Sequence, residues 1–261
     1  MRVDAADPRT LARLCAIAQD AGREILRHSC TTVACSLKAD ASPVTAADVA
    51  AERRIVQALT TWDASIPIVA EESAAAHEGR PLASDRCWLI DPLDGTKEFL
   101  AGNGEFTVNI ALLECGRPVL GVVFAPMLDV TYVAGCGLGA WRQCASERPA
   151  RIVSRGWRPG QPARIVESRS HPSAALEAYL RTIHVRERVR LGSSLKFCRV
   201  AEGRADLYPR FGPMMHWDVG AGDCIYRNSG PDGERPSPIR YDAADLRVPG
   251  FILGQEDAAS A

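Results

Sequence analysis

No apolar run in this 261-residue chain approaches the roughly 20 residues that span a bilayer. Nor is there a dominant charge. The 31 Lys and Arg against 32 Asp and Glu leave a formal net charge of −1. That excludes a bulk basic field for nucleic acid and a strongly acidic tail. No C-x-x-C pair occurs. The nine cysteines, an odd number, are scattered as Cys15, Cys30, Cys35, Cys87, Cys115, Cys136, Cys144, Cys198 and Cys224. A zinc ribbon is therefore not expected, and several of these residues read as small core side chains. No repeat or low-complexity tract is present. A secretory signal is also missing, because Arg2, Asp4 and Asp7 precede an amphipathic stretch. These absences predict a protein of the reduced cytoplasm with no integral membrane segment, peripheral association with a membrane staying open. Nothing in them sets an oligomeric state.

The length suits one large domain or two small ones. Asp7-Pro8 reads as a helix start, and Leu11, Leu14, Cys15, Ala18, Ala21, Ile25 and Leu26 recur at helical spacing to about His28. A second helix is expected from Thr45 to about Leu59, with Asp48 as its capping-box partner. Strands are expected near 66–70 and 87–91. An antiparallel meander is expected at 106–113, 118–125 and 130–134, followed by a turn-rich stretch around Gly135, Gly137 and Gly139. Prolines and glycines cluster at 145–162 and suggest a boundary. Beyond it strands (164–168, 183–190, 205–208) alternate with helices (Pro172 to Arg181, from Ser194, from Trp217), which predicts an α/β half. The tail after Asn228 has no clear pattern.

The chemistry concentrates at Asp91-Pro92-Leu93-Asp94-Gly95-Thr96, directly after the apolar run Cys87-Trp88-Leu89-Ile90. Two ionised Asp side chains at the end of a buried strand need partners. Mg²⁺, which takes oxygen ligands, is the natural one. The N–H groups of Gly95 and Thr96 suit an anion if a helix starts there. Glu71-Glu72 follows another short apolar run, and Trp217-Asp218 comes far downstream. Asp91, Asp94, Glu71 and Asp218 thus supply four carboxylates from three segments, a set able to converge on divalent cations. An EF-hand is set aside, because the third Asp/Asn and the closing Glu are missing. The glycines at 135–139 do not form a dinucleotide fingerprint.

These three segments, in this order, resemble the lithium-sensitive, Mg²⁺-dependent phosphatase superfamily that includes inositol monophosphatase. Asp91 to Phe99, Gly104 to Leu112, Ser168-Arg169-Ser170-His171, Gly192 to Cys198 and Leu207 to Gly212 are similar to its 3'(2'),5'-bisphosphate nucleotidase branch. The resemblance runs from about residue 10 to about 223. It implies an alternating α/β/α/β/α sandwich. It implies two or three Mg²⁺ held by Glu71, Asp91, the Leu93 carbonyl, Asp94 and Asp218, with Asp91 bridging. It implies that Thr96 orients the attacking water together with Glu71, and that Asp48 hydrogen-bonds near the Thr96 hydroxyl. Asp48 also reads as a plain helix cap, and Glu72 as a neighbour that is not itself a ligand. Residues 1–150 would form an α+β domain carrying most ligands, and 151–261 an α/β substrate-binding domain.

The implied substrate is a nucleotide bisphosphate, adenosine 3',5'-bisphosphate, cleaved to AMP and phosphate as a by-product of sulfate assimilation is cleared. Glu71, Leu93, Asp94, Gly95, Thr96 and Asp218 would surround the scissile phosphate. Ser193-Ser194 would cap a helix carrying Lys196, a second phosphate site, with Arg210 and Arg169 as further cations. For Arg169 a solvated surface charge is the stronger reading. His171 is either a helix-start residue or a nucleotide contact, and Tyr208 and Phe211 either pack in the core or face a purine. The runner-up is an inositol-phosphate or sugar-phosphate phosphatase, which needs no second anion site. A non-catalytic metal-binding module is disfavoured by Thr96. One departure from the relatives is Asp223, where small apolar residues usually continue the helix.

Overall fold

The computed structural model describes residues 2–29, 35–37, 43–73, 84–241 and 245–256. The helical spacing near the N-terminus becomes α1 (Pro8–Ser29), with Leu14, Ala18, Ala21 and Ile25 buried along one face. Strands β1 (Cys35–Leu37) and β2 (Pro43–Thr45) pair antiparallel. Helix α2 (Ala46–Trp62) starts at the expected capping box, Thr45 with Asp48. Then come β3 (Ile68–Ala70), β4 (Arg86–Asp94), α3 (Thr96–Leu100), β5 (Thr107–Glu114), β6 (Arg117–Ala125), β7 (Val130–Gly135), β8 (Gly139–Cys144) and β9 (Ala150–Arg151). The seven strands from β3 to β9 lie in sequence order in one sheet. Only β3 and β4 run parallel. The stretch expected to be turn-rich holds the turn of a hairpin, residues 136–138, between the end of β7 and the start of β8. Gly135 and Gly139 pair across this tight turn, and β8 begins at Gly139.

Both faces of the sheet are covered, so its strands read as nearly unbroken apolar runs. Trp88 and Ile90 of β4 join the core beneath α1 and α2, while Leu89 between them joins the core on the other face. That second core also holds Phe197, Tyr208, Val219 and Leu253, so residues of both halves of the chain share it.

The second half opens with β10 (Ala163–Ser168), α4 (Ala174–Leu180) and β11 (Val185–Leu191), a parallel pair joined by a helix. It continues with α5 (Leu195–Ala201), β12 (Tyr208–Arg210), β13 (Met214–Met215), α6 (His216–Arg227), β14 (Arg247–Val248) and β15 (Phe251–Leu253). Helix α6 packs across β4 to β8 of the large sheet. Val166 points to the α5–α6 layer, while Ile165 packs with Leu176 and Leu180 of α4. The layers therefore alternate α/β/α/β/α.

Two boundaries shift from the sequence reading, and the tail gains strands. α4 starts at Ala174 because the Ser173 hydroxyl accepts from Leu176 N at 3.3 Å. The strand expected at 205–208 begins at Tyr208, and Leu207 makes only an isolated bridge to Ile165. The tail supplies β14 to β13 and β15 to β12. Asp223 explains how the tail is held. It is fully buried, and its Oδ2 accepts from Arg227 Nε and the Tyr241 hydroxyl, both at 2.9 Å. Cys87, Cys198 and Cys224 are buried core residues, and Cys30 lies outside the described residues. Among the described residues no helix is long and apolar enough to cross a membrane.

Candidate active site

Residues three apart on a regular strand point to opposite faces. Asp91 and Asp94 nevertheless line one cavity. The pairing with β5 shows why: Asp91 lies opposite Asn109 and Asp94 opposite Thr107, so β4 carries one residue more than its partner. This bulge re-aims the second carboxylate. Leu93 N donates to Asp91 Oδ1 at 3.0 Å and tightens the turn. Gly95 then takes the left-handed conformation at φ 94°, which side chains disfavour.

Glu71 is brought alongside by its N–H, which donates to the Ile90 carbonyl at 3.1 Å. Asp218 sits in the first turn of α6, where its Oδ2 accepts from Met215 N at 2.8 Å. Carboxylate oxygens of Glu71, Asp91 and Asp218 lie within 4.8 Å of one another. Asp94 joins the same wall, held by Asn109 Nδ2 at 3.1 Å. Burial, then the charges of Glu71, Asp94 and Asp218, push the Asp91 carboxyl well above the usual carboxylate range. Burial, then Asp94 and Glu71, do the same to Asp218. Asp94 is raised by burial, against the pull of Lys196 and the hydrogen bond from Asn109. Such a cluster must take up either protons or a cation. Its all-oxygen donor set fits a hard divalent ion.

Thr96 Oγ1 lies 3.4 Å from Asp48 Oδ1 and 3.4 Å from the Leu93 carbonyl. Asp48 Oδ2 accepts from Thr45 N at 2.8 Å and from its hydroxyl at 2.6 Å. One carboxylate thus caps α2 and reaches Thr96. Burial raises its pKa. Glu72 is not on the cavity wall; its N–H donates to Glu52 Oε2 at 2.8 Å.

The opposite wall is cationic. Lys196 is only 5% exposed, with Nζ donating to the Leu191 and Ser193 carbonyls and lying 5.7 Å from the centre of the Tyr208 ring. Burial lowers its pKa to about 8, against the opposing charge of Asp94. Arg210 Nε is buried with no hydrogen-bond partner among the described residues. His171 places Nδ1 3.3 Å from Ser168 Oγ and Nε2 3.5 Å from Lys97 Nζ. Burial, then Lys97, Arg210 and Lys196, lower its pKa. Carboxylates and cations face one cavity of about 270 Å³. From His171 and Arg210 a side groove of about 190 Å³ runs to Leu176 and Phe211.

Some expected contacts are absent. Ser194 does not line the cavity. Its hydroxyl accepts from Asn109 Nδ2 and donates to the Asp218 carbonyl, both at 2.9 Å, and it makes no capping bond to α5. Ser193 stands at the wall instead. Arg169 is a surface charge, bound by two nitrogens to Glu105 at 2.7 Å. Tyr208 packs edge-on against Phe197 and Phe251, with one side toward the cavity. Phe211 is 38% exposed at the groove. Asn109 and Glu98 were not singled out by sequence reasoning. A lone amide inside the apolar run of β5 is the signal that marks Asn109. No spacing rule marks Glu98.

The inositol monophosphatase family model matches residues 7–247. The 3'(2'),5'-bisphosphate nucleotidase CysQ of Salmonella typhimurium strain LT2 is 46% identical over 217 residues, covering 82% of this chain and 86% of that protein. The protein of the same name from Escherichia coli K12 is 44% identical over 222 residues, covering 84% and 88%. The crystal structure of CysQ from Bacteroides thetaiotaomicron, a bacterial member of the inositol monophosphatase family, superposes with a TM-score of 0.77 at 32% identity, covering 97% of this chain and all of that one. With four converging carboxylates on a layered sandwich and matches that span nearly its whole length, this chain belongs to the inositol monophosphatase family.

Proposed function

We propose that the protein is a Mg²⁺-dependent phosphatase that hydrolyses the 3'-phosphate of adenosine 3',5'-bisphosphate to AMP and phosphate. The observation that carries this reading is one cavity with two anion-seeking ends. Glu71, Asp91, the Leu93 carbonyl, Asp94 and Asp218 would hold the cations at one end. Lys196 and the unpartnered Nε of Arg210 stand at the other. A monophosphate leaves that second end unused. The relatives named as 3'(2'),5'-bisphosphate nucleotidases support the same substrate class.

Divalent cations, when bound, offset the charge of the scissile phosphate and make water a better nucleophile. The chain's own part is orientation. The Thr96 hydroxyl donates a hydrogen bond to Asp48, which leaves its oxygen lone pairs free to accept from the attacking water. The N–H groups of Gly95 and Thr96 steady the phosphate oxygens. The 5'-phosphate reaches Lys196 and Arg210 through charge-assisted hydrogen bonds. The nucleoside then lies toward His171 and Phe211.

The test is phosphate release from adenosine 3',5'-bisphosphate, inositol 1-phosphate and fructose 1,6-bisphosphate, with Mg²⁺ and in EDTA. The expected result is the highest kcat/KM on the adenosine bisphosphate and no turnover in EDTA. A higher kcat/KM on inositol 1-phosphate would replace this reading with the sugar-phosphate one.

A further inference from the structure

Glu98 is an acidic residue in the cavity wall that neither the carboxylate cluster nor the cationic end uses. It is only 5% exposed. One oxygen, Oε1, accepts a hydrogen bond from the Ser170 hydroxyl. The other, Oε2, receives no hydrogen bond from any described residue and belongs to a side chain lining the cavity.

The carboxylate is threaded between two glycines. A Cβ on Gly192 would stand 2.7 Å from Glu98 Cγ, and one on Gly95 would stand 3.2 Å from Oε2. Side chains at either position would push Glu98 out of the wall. Oε2 therefore lies beside the turn that presents the Gly95 and Thr96 N–H groups, next to the scissile phosphate. Ser170 fixes it from the far side.

A ligand that fills the cavity shields this oxygen from water, and leaving it unpaired there would be costly, so the ligand should supply a donor. A phosphate oxygen cannot, since it is itself an anion. Lys196 Nζ already donates to two carbonyls, and in the proposed function its third N–H goes to the second phosphate. A neutral donor close to a phosphate ester is the hydroxyl on the adjacent carbon. The relatives' names cover both 3'- and 2'-phosphates, and both isomers carry such a hydroxyl.

We propose that Glu98 is a specificity-determining residue whose Oε2 accepts a hydrogen bond from the substrate hydroxyl vicinal to the scissile phosphate. The inference rests on the bisphosphate nucleotidase reading and adds a preference for ribo over deoxyribo substrates.

The experiment compares kcat/KM on adenosine 3',5'-bisphosphate and on 2'-deoxyadenosine 3',5'-bisphosphate, for the parent, Glu98→Ala and Glu98→Gln, with Mg²⁺ present. A hydrogen bond to a charged group corresponds to about tenfold to hundredfold. The parent should favour the ribonucleotide by that factor. The ratio should collapse toward one in Glu98→Ala and shrink in Glu98→Gln, which preserves shape and an acceptor for Ser170. Because each ratio is taken within one variant, a general loss of activity does not move it. A parent that cleaves both substrates equally, or variants that keep the parent ratio, would overturn the role of Glu98 while leaving the nucleotidase reading intact. A parent that cleaves neither nucleotide but does cleave inositol 1-phosphate would overturn the reading itself, and this inference with it.

Discussion

Asp91→Asn should make the metal-free protein more stable and the Mg²⁺-loaded protein less so. Asp91 is buried among three other carboxylates, and its nearest oxygens in the cluster lie within 4.8 Å. Two like charges at that separation repel by about 3.5 kcal/mol at an effective dielectric of about 20. The folded metal-free chain escapes part of this by taking up a proton, so the net penalty is about 1–3 kcal/mol at neutral pH. The new amide is nearly isosteric. Its oxygen can keep the hydrogen bond from Leu93 N, and its NH₂ can donate to Glu71. In EDTA the melting temperature should therefore rise, by about 2–4 °C per kcal/mol for a chain near this size. The sign with pH follows from the raised carboxyl. Its penalty is absent below the unfolded pKa of about 4, where the side chain is protonated in both states, and grows as pH rises above it. The stability gain should fade accordingly toward pH 4. Added Mg²⁺ should reverse the order, because ligand binding to the native state stabilises only a chain that binds it. The assay is thermal unfolding of parent and variant in EDTA and in a Mg²⁺ series. A variant that melts below the parent in EDTA would refute the electrostatic argument. One that still gains as much as the parent from Mg²⁺ would refute the ligand role.

Three further outcomes are expected. Lys196→Ala should lower kcat/KM on adenosine 3',5'-bisphosphate by about one to two decades, the value of a charge-assisted contact, and leave inositol 1-phosphate nearly unchanged; an equal loss on both would mean that Lys196 supports the fold or the metal site. In the parent, kcat/KM for the bisphosphate should fall above about pH 8, where buried Lys196 loses its proton, and a pH series on Lys196→Met should lack that limb. Gly22→Ala should lower the melting temperature, since the added Cβ would stand 2.4 Å from Phe124 Cε1 and 2.9 Å from Pro126 Cγ; overpacking of about 1–3 kcal/mol outweighs the gain of up to about 1 kcal/mol in helix propensity, and an unchanged melt would show that the Phe124 ring yields.

The site was legible where its chemistry is local. Asp91, Asp94, Gly95 and Thr96 lie within six residues, and the residue types alone state the turn and the charge problem. Asp48 was legible as a cap because a capping box has a three-residue signature. Its second task, at Thr96, depends on packing between α2 and α3 and has no such signature. Ser194 shows the opposite failure. Helix-start spacing marks it for phosphate, yet Asn109, 85 residues away, and the Asp218 backbone engage its hydroxyl first. Glu98 stayed hidden because its surroundings are supplied by Ser170 and Gly192, which only the fold brings near. The turn between β7 and β8 was legible from its glycines, but β8 itself was not, because Arg142 and Gln143 interrupt any apolar pattern there.

The packing of α6 across the large sheet has a consequence for biosynthesis. Translation releases the chain from its N-terminus, and β4, with Asp91 and Asp94, emerges more than a hundred residues before Asp218. Pairings that distant close slowly. On the ribosome the growing chain exposes a sheet face that lacks its helix and holds three acidic side chains without the fourth. Catalysis cannot begin until residue 227 has cleared the exit tunnel and docked. Enzymatic activity in this chain is thus a report that α6 has been made and docked, and a product truncated before it would be silent rather than partly active.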